Sequence, residues 1–363
     1  MNISNKYPIR LDSPRAWRTY TGGANLNALH GNDNGEISQF PEEWIMSVVE
    51  ARNAGREDII GEGLSHLLDE DNLSLKELVS SNPSLYLGEK HASHWGNQMG
   101  VLVKLIDSAE RLTVQVHPNK ELARTLFDSD FGKTESWHIL KTFEVDGEKA
   151  CVYMGFKEGI TKEEWKHLFD IQDIQGMLDC MHKIEVHPGD TILIKGGVPH
   201  AIGAGCFLCE IQEPTDYTVR IEKVTPAGLT IAESMLHQGL GFEKMFDCFI
   251  YEGISEDEAK SRWFIPAKTI SQSEKTIHRT IIGYDTCPLF TLEEIVTSDS
   301  ITLACPPVFS GLYILEGEGA LISGDKSIEI AKAQQYFLPA GTEEFTLKAK
   351  TPLRVMRFFG PRD

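Results

Sequence analysis

Hydrophobic and polar positions alternate cleanly along Arg111–Lys120, RLTVQVHPNK: Leu112, Val114 and Val116 fall on one side of an extended chain, Thr113, Gln115 and His117 on the other. The run reads as a strand closed by Pro118 and Asn119, and its polar side, taken alone, fits a strand half turned to water. Similar patterns recur. Residues 44–51 in FPEEWIMSVVEARN are strand-like, and so is GVLVKLID, joined to the Gln-His strand by the short turn SAER. ESWHILKTF and KACVYMGF alternate like a strand pair around EVDGE. From His182 to Glu222, Gly and Pro break the chain into short strands, as in a barrel or sandwich, and residues 250–363 repeat that texture. Three stretches carry helical periodicity instead: about 73–90, opening near Ser74; 161–181, where Thr161 and Glu164 have capping-box spacing; and 230–247. ELARTLFDSD reads as a shorter helical or turn segment.

Two stretches share one layout. HPGDTILIKGGVPHAI and IAKAQQYFLPAGTEEF each run turn, strand, K/P-x-G, two residues and one polar side chain, which is His200 in the first and Glu344 in the second. The layout resembles the second motif of the cupin superfamily, with Lys195 where Pro is usual. LEGEGALI resembles the end of the first cupin motif without its histidines. The resemblance implies a mainly β protein of two jelly-roll domains. Residues 1–249 would form a cupin with the helical segments in or around it, and residues 250–363 a degenerate cupin lacking metal ligands.

Length agrees, since 363 residues exceed what one compact core usually serves. The formal charge of −19, with no basic cluster, argues against nucleic acid and anionic membranes as partners. An anionic ligand would therefore need cations built into its site. No apolar run approaches the ~20 residues of a membrane span, and the first residues lack a signal-peptide pattern, so a cytoplasmic location is expected. Seven cysteines, an odd number, suit free thiols; Cys206 and Cys209 form a lone C-x-x-C within strand-like sequence and read as buried structural residues.

The chemistry gathers in Gln115, His117, Glu135 and His200. Each has an ordinary reading: a wet strand face for Gln115 and His117, a surface carboxylate for Glu135, a turn residue for His200. Together, two imidazoles, a carboxylate and an amide oxygen are a donor set suited to a catalytic zinc. One carboxylate against Zn²⁺ leaves about one net positive charge, enough to keep the ion a Lewis acid. Mn²⁺ or Fe²⁺ would accept the same donors.

The blocks LTVQVHPNKELA, GKTESW, GGVPHAIGAG and EIQEPTDYTVR, in this order, resemble the type I mannose-6-phosphate isomerases over about residues 8–248, most densely over 95–222. The resemblance implies a zinc-dependent cupin that interconverts mannose 6-phosphate and fructose 6-phosphate through a cis-enediol. One Zn²⁺ per chain would sit on Gln115, His117, Glu135 and His200. Lys133 and Arg220 would be catalytic and substrate-binding cations, and Trp17, in RAWRTYTGGANL, a substrate-binding aromatic. Glu210 is the candidate general base, with Asp216 and a metal-bound water as rivals. His138 stands where Tyr is common, so one pocket wall would differ; the Trp17–Gly22 spacing is wide, and Lys223 is a candidate for a second family lysine. His182 and His187 read as surface residues. The expected partner is a small phosphosugar, and the expected state a monomer or weak homo-oligomer. Two other readings stay open: a metal-dependent cupin isomerase of another sugar or sugar phosphate, and a non-catalytic sugar-phosphate-binding cupin.

Overall fold

The computed structural model describes residues 3–70 and 72–362. Four antiparallel sheets form two sandwich-like barrels. In the first barrel, a six-stranded sheet orders Arg15–Ala16, Glu42–Ile45, Leu102–Ser108, Cys206–Gln212, Glu135–Thr142 and Thr191–Ile194. A five-stranded sheet orders Val219–Arg220, Gln115–Val116, His200–Ile202, Cys151–Phe156 and Met181–Glu185. Between them pack Trp137, Ile139, Val152, Met154, Ile192 and Leu208. Sheets of seven and four strands make the second barrel, filled by Leu312, Ile314, Leu321, Tyr336, Phe345 and Leu347. The expected mainly β, two-cupin architecture is what the chain adopts.

The internal repeat is visible in the fold: His200 opens strand His200–Ile202, and Glu344 opens strand Glu344–Ala349. His200 is buried, whereas Glu344 is exposed over an apolar interior. Among the described residues, the one His/Cys/Asp/Glu group close enough to share a metal lies in the first barrel.

Several local expectations are corrected. The polar side of Thr113, Gln115 and His117 is buried throughout, not wet. Residues 102–108 and 115–116 are no hairpin, because they belong to different sheets, and the same holds for 135–142 and 151–156. In a sandwich the chain crosses between sheets at such connections; alternation reveals a strand's two faces but not its neighbour. The strand expected over 44–51 is confined to Glu42–Ile45.

The helical stretches are broken into short pieces. Residues 73–90 hold Leu75–Ser81, with a full Ser74–Glu77 capping box, then Pro83–Leu87, started by Pro at its first turn, then a helix beginning at Glu89. Residues 161–181 hold Lys162–Ile171 and Ile174–Asp179, parted by Gln172 in the left-handed region. Residues 230–247 give only Glu233–His237, Gly241–Lys244 and a 3₁₀ turn from Met245. Thr161 accepts from the Glu164 N–H, half of the expected box.

Pairing crosses the division near residue 250 in both directions. Ile250, Ile254 and Ile265 donate backbone hydrogen bonds to Gly197, Phe156 and Thr191 of the first barrel. Strand Ile9–Leu11, near the start of the chain, pairs with Gln335–Phe337 of the second. One continuous core joins Ile45, Val103, Leu105 and Ile211 to Tyr313, Phe337, Met356 and Phe358.

Candidate metal centre and its cavity

Neighbouring strands bring the donors together. Gln115 lies opposite both His200 and Arg220 in the five-stranded sheet, and Glu135 enters from the first position of its strand in the facing sheet. Two glycines let the loops close. A Cβ on Gly196 would lie 2.6 Å from Asn119 Cα and 2.7 Å from Pro118 O, and one on Gly132 would lie 2.8 Å from Pro118 O. The turn before His200 and the segment before Lys133 are thus pressed onto His117–Pro118–Asn119, and Gly197 N–H donates to His117 O at 2.8 Å.

The histidine tautomers follow from their outer hydrogen bonds. His117 Nδ1–H donates to Tyr217 O and His200 Nδ1–H to Val198 O, both at 2.8 Å, so each Nε2 turns a lone pair inward. The two Nε2 atoms are 3.2 Å apart and lie 3.2 and 3.3 Å from the two Glu135 oxygens. The Gln115 amide is 3.3 Å from His200 Nε2, and a half-turn would exchange its nitrogen for its oxygen. All of these side chains are buried. Neither Glu135 oxygen accepts a hydrogen bond within the described structure, although the Lys133 ammonium stands 3.1 Å from one of them. Two inward lone pairs and an under-satisfied buried carboxylate are an arrangement a divalent cation would complete.

The electrostatics point the same way. Burial, together with the Lys133 ammonium, pushes His117 down to about 3, and burial also lowers His200, so both imidazoles are neutral donors at neutral pH. Burial alone would raise Glu135, but Lys133 and His117 hold it well below the usual carboxylate range.

Beside the cluster is a narrow polar cavity whose wall includes Gln115, Lys133, Arg220, Glu210, Asp216 and Lys104. Lys104 stands 3.1 Å from Glu210 and 3.6 Å from Glu42, one ammonium serving two carboxylates. Lys104 is accordingly raised, because its two carboxylates outweigh burial. Glu210 is also raised, because burial outweighs its share of that single ammonium. Trp137 Nε1 donates to Glu210 at 3.1 Å. Asp216 is held low by Arg18 and Lys104 against the effect of burial. Arg220 has no carboxylate partner among the described residues; it donates to Thr218 O and Met235 O at 3.1 and 3.0 Å, and burial lowers it to about 10. Asp216 also lines a broad outer groove with Arg52, Asn53, Phe131 and Met235.

The family models and known relatives now bear on this geometry. Residues 61–135 match the family model of the phosphomannose isomerase type I catalytic domain, and residues 280–357 that of the mannose-6-phosphate isomerase cupin domain. The chain thus resembles the type I phosphomannose isomerases in two separate segments. The first of these segments carries Lys104, Gln115, His117, Lys133 and Glu135. Mannose-6-phosphate isomerase ManA of Bacillus subtilis is 28% identical over 253 residues, 70% of this chain and 73% of that protein. Mannose-6-phosphate isomerase of Streptococcus mutans is 30% identical over 37% of this chain and 42% of its own. The crystal structure of the Bacillus subtilis mannose 6-phosphate isomerase superposes with a TM-score of 0.74 at 21% identity, covering 97% of this chain and 99% of that one. A Salmonella typhimurium phosphomannose isomerase variant gives 0.70 at 15% identity over 98% of this chain and 100% of its own. At these identities the two structures speak for the fold.

Against this type I phosphomannose isomerase framework, some expected residues lie elsewhere. Trp17 does not line the cavity: its Nε1 donates to Gln39, and Arg56 stacks on its ring. Its neighbour Arg18 lines the wall instead, with Tyr20 and Glu42. His138 faces away from the cavity, Nδ1 against Thr191 Oγ1 and toward Glu294 and Arg354 of the second barrel, because residues alternate along its strand and Glu135 and Trp137 take the inner face. Lys223 lies over the Phe169 ring, outside the cavity wall. His182 is buried, with Nε2 against Ile254 O, whereas His187 is exposed as expected. Cys206 and Cys209 are buried free thiols. Of Lys104 and Glu42, both absent from the residues singled out in the sequence, Lys104 had one visible signal: a charge in the middle of the otherwise apolar strand-like run GVLVKLID.

Proposed function

We propose that the chain is a zinc-dependent mannose-6-phosphate isomerase, interconverting the aldose with fructose 6-phosphate through a cis-enediol, with Gln115, His117, Glu135 and His200 holding the metal. The observation that carries the reading is the convergence of two inward imidazole lone pairs on a buried, under-satisfied carboxylate beside a cavity walled with charges.

Charge balance supports a phosphosugar. Glu42, Glu135, Glu210 and Asp216 give four negative charges in and around the cavity, and Arg18, Lys104, Lys133 and Arg220 give four positive ones. The sum is zero; a divalent cation would leave about +2, the complement of a phosphate dianion, inside a protein whose overall charge is −19.

Isomerisation moves a proton between C2 and C1, and negative charge develops on the sugar oxygens as it leaves. A bound divalent cation supplies Lewis-acid stabilisation of that charge. Arg220, half-buried and free of a carboxylate partner among the described residues, is suited to donate to the same developing oxyanion at little reorganisation cost. Lys133 adds a fixed positive charge beside Glu135. Glu210 is our candidate to take the C2 proton: burial raises its proton affinity toward the working pH, and Trp137 and Lys104 fix its carboxylate. Asp216, held low by Arg18, is the weaker base. We assign the second barrel a structural role, its interior being closed by apolar side chains. The cytoplasmic expectation is retained as part of the proposal; among the described residues no helix is long and apolar enough to cross a membrane.

The test is a coupled assay for fructose 6-phosphate formed from mannose 6-phosphate, run before and after chelation, with metal content measured by mass spectrometry. Activity lost on chelation and restored by Zn²⁺, with His117→Ala lacking both metal and turnover, is the expected outcome. A His117→Ala protein that retains equimolar zinc and full activity overturns it.

A further inference from the structure

Among the described cations that line the cavity, Arg18 is the one with a buried nitrogen that has no partner. It is 5% exposed and lines the cavity wall, and its Nη2 has no hydrogen-bond partner among the described residues. The rest of the guanidinium is fixed. Nε donates to Glu42 at 2.8 Å, the plane lies 4.9 Å over the Trp44 ring, and Nη1 makes only long contacts, 3.4 Å to Asp216 and to Trp17 O and 3.5 Å to Asn53. Glu42 is itself tied by Tyr20 and Trp44, each at 2.8 Å, so the clamp on Nε cannot easily shift. A buried guanidinium nitrogen left without an acceptor is costly unless a ligand supplies one.

We infer that Arg18 is a substrate-binding residue that selects for the phosphoryl group, its Nη2 and loosely bonded Nη1 offering a preformed donor pair to phosphate oxygens. Three observations favour the anionic end of the substrate. A guanidinium edge matches phosphate oxygens bidentately. Lys133 is held by Glu135 and His117 and Lys104 by Glu42 and Glu210, while Arg220, bonded through Nη1 alone, is the cation proposed above for the developing oxyanion. Asp216, the neighbour of Arg18, lines both the inner cavity and the outer groove, so Arg18 stands toward the mouth, where the part of a sugar remote from the metal centre would lie.

This inference rests on the phosphosugar reading of the site, and a binding measurement separates the two. Isothermal titration of the zinc-loaded protein with mannose 6-phosphate and with mannose is compared between wild type and Arg18→Lys, which keeps the charge against Glu42 but removes the fork; Arg18→Gln is the second variant. Melting curves confirm that both variants are folded. Arg18→Lys is expected to weaken mannose 6-phosphate binding about 10- to 30-fold and leave mannose binding within about twofold; in turnover the loss falls on KM rather than kcat. Equal losses for the two ligands, or none for the phosphorylated one, overturn the assignment. A wild type that binds mannose 6-phosphate through Arg18 without isomerising it refutes the proposed reaction while upholding the role of Arg18.

Discussion

At the scale of single residues, burial sets the protonation chemistry of this protein, inside the site and outside it. His138 is the clearer case for measurement, since its side chain faces Thr191, away from the candidate metal donors. It is 2% exposed, and burial pushes it down to about 4 from the usual histidine range. A histidine neutral in the folded state and protonated when unfolded favours unfolding below the unfolded pKa of ~6.5, and the loss grows until the folded pKa is reached. Stability contributed by His138 is therefore intact at pH 7 and falls through the window from about 6.5 to about 4. Between pH 7 and pH 5 the effect is about 2 kcal/mol. Urea unfolding of wild type and His138→Asn at both pH values should show the variant losing about 2 kcal/mol less on acidification; parallel losses would mean that His138 does not stay neutral.

At the scale of elements, the candidate metal donors depend on backbone contact between loops as much as on their strands. Gly196 has no room for a side chain against Asn119 and Pro118, and Gly197 N–H is bonded to His117 O. Gly196→Ala should therefore push the His200 turn away from His117. The expected result is a folded protein, with a melting temperature lowered by a few degrees and zinc affinity reduced about 10- to 100-fold in a competitive chelator titration. Unchanged affinity would show that the turn relaxes without moving His200. These same loops explain what was readable in the sequence. Q-x-H-P, K-x-E and G-G-x-P-H are short motifs that the family resemblance picks out, so the candidate donor cluster of His117, Glu135 and His200 was legible. Arg18, Glu42 and Lys104 were not: Arg18 lies in irregular chain just after strand Arg15–Ala16, Glu42 opens a four-residue strand, and Lys104 sits in a wholly buried one. All seven residues of Leu102–Ser108 are buried, so its two faces leave no alternation by which to sort Lys104 inward. Trp17 was singled out for its resemblance to a family aromatic, whereas the next residue along is the one that reaches the wall.

At the scale of the whole molecule, the second barrel carries no candidate metal cluster among the described residues yet is joined closely to the first. Glu43, fully buried beside the cavity residue Glu42, accepts from Tyr313 of the second barrel and from Arg15, and His30 lies 2.6 Å away. The repeat of the cupin layout made two barrels legible from sequence. It could not show that Ile9–Leu11, near the start of the chain, completes the sheet of the distant barrel, since a three-residue strand leaves almost no pattern. The shared core and this swapped strand argue that neither barrel is an independent folding unit. Full-length protein should lose circular dichroism and tryptophan fluorescence in one coincident urea transition. Residues 1–249 expressed alone should be insoluble or lack a cooperative transition, because Ile45, Val103, Leu105 and Ile211 would face water without Tyr313, Phe337, Met356 and Phe358. In the intact chain, Tyr313→Phe should cost about 1–3 kcal/mol by leaving Glu43 one donor short. Two separated transitions, or a soluble and active 1–249 fragment, would mean that the second barrel is an attachment to the enzyme rather than part of its core.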